Sequence, residues 1–354
     1  MQINLDDDPH GCSPWHTQDG SSIVRPWIRS IPGFSGLGGP RAWRHAGLVS
    51  HATLAKAARL KFFGKSPAGF YLRLNRRIWE SIPPSLRNFY AVRAYGAWLH
   101  SLVRLLATRQ QYFGTFFLRN RPALELMRRI AEKKAEGSTL RIAVLACSAG
   151  AEVYSILWTI RSARTDLKVL VRAVDISKEI LNFAESGVYA PDTCGLVGSS
   201  IFERLTTQET ERMFDLEGDV ARVKPWLREG VMWQLGDASS PALIHALGPQ
   251  DIVVANNFLC HMETPAAENC LRNIAGLVDQ DGYLFVSGVD LEVRATVAHD
   301  LGWWPIPELL EQIHDGDPSV REGWPWCWWG LEPLDHRRPD WQLRYTAVFQ
   351  IPAQ

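Results

Sequence analysis

The chain has 354 residues, 46% apolar and 21% charged, with 38 basic residues balanced by 38 acidic ones. That length accommodates one large core or two modest ones. No apolar run reaches the about 20 residues needed to cross a bilayer. The opening MQINLDDDPHGC is acidic with no apolar centre, unlike a secretory signal, so a cytoplasmic location is expected. Six cysteines, at 12, 147, 194, 260, 270 and 327, form no CxxC pair, and the histidines show no ligand spacing. Neither a zinc site nor a disulfide framework is expected, and no bound metal.

Residues 1–40 are rich in Gly, Ser, Pro and Asp without sustained periodicity and read as a loosely ordered lead segment. A helical pattern follows within 41–137: Leu54, Ala57, Leu60 and Phe63, then Trp98, Leu102, Leu105 and Leu106, then Leu124, Leu126 and Ile130, interrupted at Pro83-Pro84. This predicts a small helical domain of four or five helices. Residues 41–135 hold 19 Lys and Arg against three acids, which leaves 19 basic and 35 acidic residues elsewhere. Such asymmetry suits either attraction of an acidic partner or docking of basic helices onto an acidic domain.

From 138 onward strands and helices alternate, which predicts a mostly parallel sheet. Strands are expected at 140–146, 168–174, 230–235, 251–256, 282–287 and 342–350, the last antiparallel at the sheet edge. The segment LRIAVLACSAGAEVYS, 140–155, reads as a buried strand, a turn of small residues and a helix start in immediate succession. Such a turn lets a ligand approach the backbone closely. The strand KVLVRAV, 168–174, ends on Asp175, 25 residues after Gly150, where a carboxylate can bind ribose hydroxyls. With Gly150 the only glycine in the turn, a pyrophosphate cradle is disfavoured against an adenosyl ligand without phosphates. S-adenosyl-L-methionine fits that description.

The same segments resemble the chemotaxis receptor methyltransferases of the CheR type. CSAGAEVYS at 147–155 is similar to their CSxGEExYS, AVDIS at 173–177 to ATDID, and AESGVY at 184–189 to ARSGIY. FGTFFLR at 113–119 is similar to TxFFR, DIVVANNF at 251–258 to DVIFCRNV, and DGYLFV at 281–286 to GGYLFL. The motifs keep family order across about half the chain. The resemblance implies an α/β fold, a Rossmann-like class I methyltransferase sheet with an N-terminal all-helical domain (41–137) and a methyltransferase domain (138–354). A small β-subdomain would be inserted at 190–229.

It also implies a cofactor set. Asp175 and Ile176 would face the ribose, Asp237 and Ala238 the adenine, and Asn257 the methionyl portion. Ala146, Cys147, Ser148 and Gly150 would form the turn beneath the ligand. Thr115 and Arg119 would lie over it, with Arg119 displaced one position by the extra Leu118. Glu152 would meet the cofactor amine, although Ala151 replaces the first of the family's two glutamates.

The acceptor side departs from the family. Where chemotaxis enzymes read RNxxxY, this chain has Asn256, Asn257 and His261. Asn256 and His261 are the candidate catalytic pair, His261 offering an imidazole that accepts a proton near neutral pH. An insertion over 293–340, with Trp341 beside it, carries seven of the fifteen tryptophans. Trp303, Trp304 and Trp326 are candidates for an aromatic acceptor pocket, the alternative being packing against the sheet edge. The expected reaction is O-methylation of a carboxylate-bearing acceptor, a small molecule or a protein side chain. Another transfer from the same cofactor, such as aminocarboxypropyl transfer, and a catalytically silent binding module stand as alternatives. No nucleic-acid partner is expected, because neither an RNA-binding motif nor an NPPY-type motif is present.

Overall fold

The computed structural model describes residues 67–106, 113–190, 193, 195, 199–316, 323–326 and 331–352. The lead segment 1–40, the pattern from Leu54 to Phe63, and Trp328 and Trp329 lie outside these residues.

In chain order the helices α1 (Pro67–Ser81), α2 (Tyr90–Leu106) and α3 (Arg121–Glu132) precede the first strand. Then follow β1 (Thr139–Leu145), α4 (Ala151–Ala163), β2 (Lys168–Asp175), α5 (Lys178–Ser186) and β3 (Val188–Tyr189). Next come α6 (Thr207–Met213), β4 (Phe214–Glu217), β5 (Val220–Val223), α7 (Pro225–Arg228), β6 (Val231–Leu235), α8 (Pro241–Leu247) and β7 (Gln250–Val254). The chain continues through α9 (Thr264–Ala275), β8 (Val278–Phe285), α10 (Leu291–Asp300), β9 (Trp304–Pro305), α11 (Leu310–His314), α12 (Trp341–Tyr345) and β10 (Val348–Gln350).

A seven-stranded sheet runs in the order β6-β2-β1-β7-β8-β10-β9. The first five of these strands are parallel, and β10 is antiparallel to both its neighbours. The expected α/β class with a mostly parallel sheet is therefore met. β1 is central, and its two faces feed different cores: Ile142 and Val144 join one with α3 and α4, Ala143 and Leu145 the other with α9. Period-two alternation of apolar residues on both faces is what a doubly covered strand requires. The order reverses direction between β1 and β7, so the carboxyl ends of these strands diverge around a crevice where such sheets bind ligands.

The last strand differs from expectation. Residues 341–345 are helical, and only Val348–Gln350 extend. Arg344 is held by Glu332 (2.7 Å) and Glu292 (3.1 Å), and the Tyr345 hydroxyl donates to Glu332 (2.9 Å), which anchors α12 as a buried turn. Nor is β10 the edge, because β9 pairs along its outer side.

α2 forms as its pattern predicts, but its buried stripe is Gly96, Leu99, His100 and Val103, while Trp98 is exposed and packs on Tyr71 and Tyr95. α3 has its amino end capped by the Asn120 side chain, which accepts from the Ala123 amide (3.1 Å), and buries Leu126, Met127 and Ile130 into the sheet's core. Several basic side chains of this region meet acids of the α/β part: Arg104 with Asp290 and Glu292, Arg121 with Glu209, Arg129 with Glu308 and Lys134 with Asp251. Part of the charge asymmetry is thus used in docking within the chain.

A three-stranded sheet β3-β5-β4 branches off after α5. Its aromatic residues seat the segment before α3: Phe117 meets Tyr189 and Phe214 edge-on at 5.1 Å and stacks on Phe202 at 5.6 Å.

Candidate active site

The turn after β1 is built on left-handed backbone. Ala146 (φ 52°), Ser148 (φ 49°) and Gly150 (φ 82°) alternate with ordinary residues, which coils the chain tightly. The Cys147 amide donates to the Val174 carbonyl (2.9 Å), tying the turn to the end of β2. Asp175 takes one amide on each oxygen: Ser148 donates to Oδ2 (2.9 Å) and Ser177 to Oδ1 (3.0 Å). Its carboxyl is only 3% exposed, and burial lifts its pKa despite the amides of Ser177, Ser148 and Ile176 that favour the anion. The Tyr189 hydroxyl donates to the Ala149 carbonyl (2.5 Å), so the small sheet braces the same turn.

Gly150 serves packing. A Cβ there would stand 3.0 Å from the Ala184 Cβ, 3.1 Å from the Trp233 ring and 3.3 Å from the Tyr154 ring, and the residue does not line the cavity. Cys147 does line it, but burial and the neighbouring Asp175 push its thiol well above the ordinary range, so it stays protonated at neutral pH.

One cavity at the carboxyl ends of the strands collects most of the expected residues. From β1 and α4 come Ala146, Cys147, Ser148 and Glu152, from β2 Asp175, and from the segment after β7 Asn256, Asn257 and His261. Thr115 and Arg119 enter from the opposite wall. The extra residue in that wall is absorbed by Leu118, which takes a left-handed conformation (φ 52°), is fully buried, and donates its amide to Ser155 Oγ (2.9 Å). That turn returns Arg119 to the cavity.

A polar chain crosses the floor. The Asn256 amide nitrogen donates to Glu152 (2.8 Å), and its oxygen accepts from the Ser287 hydroxyl (2.8 Å). Asn256 is thereby locked in orientation. Burial raises the pKa of Glu152, opposed by the Asn256 hydrogen bond and the charge of Arg119. Beside this chain, Asn257 has φ 62° and Gly288 φ 59°, and a Cβ on Gly288 would lie 2.6 Å from the Asn257 Cα. Only glycine allows the two loops to approach so closely.

Ile176, Asp237 and Ala238 do not line this cavity. Ile176 is exposed, and Ala238 is buried in the core on the α9 side. Asp237 bonds the Ser239 amide (2.8 Å) and hydroxyl (2.7 Å) ahead of α8. Ile176 and Asp237 follow the paired ends of β2 and β6, where Asp175 lies opposite Leu235.

The aromatic acceptor pocket expected from Trp303, Trp304 and Trp326 is not assembled. Trp303 is 3% exposed, in the core against Phe349 (5.3 Å), whereas Trp304 is 57% exposed on the edge strand β9. Trp326 packs with Leu72, Val103 and Cys260, and Trp324 packs on Trp79 at Gly96, where a Cβ would meet the indole at 2.2 Å. These two indoles join α1 and α2 to the rest of the molecule. Sequence reasoning missed Ser287, Gly288, Arg294 and His314, all of which line the cavity. The Ser-Gly pair directly after an apolar strand was a usable signal for two of them.

Comparison with known proteins agrees with the motif order. The family description "CheR methyltransferase, SAM binding domain" matches residues 114–294, 181 of the 354 residues. A probable biofilm formation methyltransferase WspC of Pseudomonas aeruginosa is 25% identical over 49% of this chain and 40% of its own length. Chemotaxis protein methyltransferase 1 of the same organism is 33% identical over 42% of this chain and 54% of its own. The aligned regions thus span about half or less of these relatives. Among solved structures, a magnesium protoporphyrin IX methyltransferase from Synechocystis with bound SAM aligns over 57% of this chain and 80% of its own, at 14% identity and a TM-score of 0.31. The matched span covers the turn, Asp175, Glu152, the Asn256-Asn257 pair and the polar chain to Ser287, and on that ground the chain belongs to the CheR methyltransferase family, of which it carries the S-adenosylmethionine-binding domain.

Proposed function

We propose that the protein is an S-adenosylmethionine-dependent methyltransferase that esterifies a carboxylate-bearing acceptor, either a small molecule or a protein side chain. The observation that carries this reading is the convergence of the β1 turn, Asp175, Glu152, Arg119 and the Asn256-Asn257 pair on one cavity. The donor set suits that cofactor. Asp175 has both oxygens positioned by backbone amides and accepts from the ribose hydroxyls. Glu152, half-buried beside Asn256, would face the ammonium group, and Arg119 the methionyl carboxylate. Asp237 and Ile176 would flank the adenine, with the buried Ala238 supporting the strand end beside them. When bound, S-adenosylmethionine would supply an electrophilic methyl carbon to the acceptor oxygen, the C–S electron pair leaving with sulfur.

The chain's own residues align and shield this displacement. A carboxylate is already ionised at neutral pH, so no base is needed for it. Asn256, fixed between Glu152 and Ser287, orients the acceptor, and His261 lines the same wall, available to take a proton if the acceptor is protonated. A protein acceptor accords with the names of the chemotaxis relatives. The proposal includes a cytoplasmic location; no helix among the described residues is long and apolar enough to cross a membrane.

The test uses S-adenosylmethionine tritiated on the methyl group, offered with glutamate-containing peptides and with small carboxylic acids. Formation of S-adenosylhomocysteine with label released by mild alkali as methanol supports the reading. Release of 5′-methylthioadenosine, or alkali-stable label, overturns it. Failure to bind S-adenosylhomocysteine at all would point to a silent module.

A further inference from the structure

We propose that Arg294, on helix α10, is the residue that grips the acceptor carboxylate. This inference rests on the methyltransferase reading above.

Arg294 is 4% exposed and reaches back from α10 to the end of β8. Its Nη1 donates to the Val286 carbonyl (3.0 Å) and its Nη2 to the Arg344 carbonyl (2.9 Å). The Val286 contact puts the guanidinium one residue from Ser287, whose hydroxyl holds Asn256, and Arg294 lines the same cavity as Asn256 and His261. It therefore enters the half of the cavity over β8 and β10, away from Asp175 and the turn.

The charge of Arg294 has no counterpart among the described residues. The acids nearby are engaged elsewhere: Glu292 with Arg104 (2.6 Å) and Arg344 (3.1 Å), Glu332 with Arg344 (2.7 Å), and Asp290 with Arg104 (3.3 Å). Among the described residues no ion pair forms to Arg294, and its Nε is buried without a hydrogen-bond partner. Burial, with the like charge of Arg344, lowers its pKa to about 9, which still leaves the group protonated at neutral pH. An unpaired buried cation is among the costliest arrangements in a folded chain, so one that lines a cavity is matched by an anion from that cavity. The two carbonyl contacts hold the guanidinium plane while leaving Nε free, which is the preorganisation a carboxylate oxygen needs. A carboxylate so held would meet the Asn256 and His261 wall.

The experiment measures binding of N-acetyl-glutamate to the full chain saturated with S-adenosylhomocysteine, by calorimetry, with N-acetyl-glutamine as the uncharged control. The wild-type protein is expected to bind the acid and discriminate against the amide. Arg294→Met should weaken the acid by at least about tenfold, the effect of losing one charged hydrogen bond, while S-adenosylhomocysteine affinity stays within about twofold because the cofactor residues are separate. Arg294→Lys keeps the cation and should lose less; it is the variant read if Arg294→Met does not fold. The inference is overturned if the folded variant binds the acid as wild type does, if wild type takes the amide equally well, or if wild type binds no acid at millimolar concentration. Loss of S-adenosylhomocysteine binding by wild type would instead bring down the cofactor reading, and this inference with it.

Discussion

Replacing Asp175 with Asn tests the centre of the proposed cofactor site, because the side chain does two things at once. Its oxygens each accept one backbone amide, from Ser148 at 2.9 Å and Ser177 at 3.0 Å, in a position 3% exposed. Asparagine keeps one oxygen and sets an NH2 group against the other amide. That loses one charge-assisted hydrogen bond and leaves a buried donor unpaired, a destabilisation of about 1.5–3 kcal/mol. For a chain of this size the midpoint of thermal unfolding should fall by roughly 2–4 °C. The proposed ribose contact adds a separate effect: the neutral side chain accepts more weakly from a hydroxyl, so S-adenosylhomocysteine should bind about tenfold to a hundredfold more weakly. Differential scanning fluorimetry reads the first number and calorimetric titration the second. A folded Asp175→Asn protein that binds S-adenosylhomocysteine within about twofold of wild type would refute the assignment of the ribose to this carboxylate.

Gly150→Ala should destabilise by about 2–4 kcal/mol, combining a left-handed alanine with overpacking against Ala184, Trp233 and Tyr154; denaturant unfolding checks it, and a loss below about 0.5 kcal/mol would contradict the packing role. The pKa of Glu152 is raised, chiefly by burial. Folding therefore takes up a proton there, and this group alone makes the fold less stable as pH rises from the ordinary glutamate range towards its folded value. Ionised Glu152 is the form proposed to hold the cofactor ammonium, so S-adenosylhomocysteine affinity should decline on acidification from above the ordinary glutamate range, and Glu152→Gln should flatten that slope in a calorimetric pH series. Trp303→Ala should cost about 3–5 kcal/mol as a core truncation, while Trp304→Ala on the exposed edge should change stability by less than about 0.5 kcal/mol. Reversal of that ranking would restore Trp304 as more than a surface residue.

Much of the site was legible because its signals are local. A strand ending in small residues, a helix starting at Glu152, and a second strand ending in Asp175 are adjacent in sequence, and parallel pairing of β1 with β2 brings their ends together without further information. The aromatic pocket was misread for the opposite reason. Tryptophan density records that a segment buries apolar area, but the partner is decided in space, and Trp303 meets Phe349 of β10 while Trp324 meets Trp79 of α1. The stripe on α2 was misplaced by one residue because helical spacing leaves the facing direction open, and Trp98 turned to Tyr71 and Tyr95.

The sequence by itself determined the α/β sheet, the family and the residues at the ends of β1, β2 and β7, since alternation, strand-end chemistry and motif order are properties of neighbouring residues. Only the tertiary structure decided which polar groups share the proposed acceptor half of the cavity. Ser287 and Asn256 are 31 positions apart, Arg294 and the Arg344 carbonyl 50. Whether a buried arginine is neutralised depends on acids brought to it by folding, and around Arg294 those acids are held by Arg104 and Arg344.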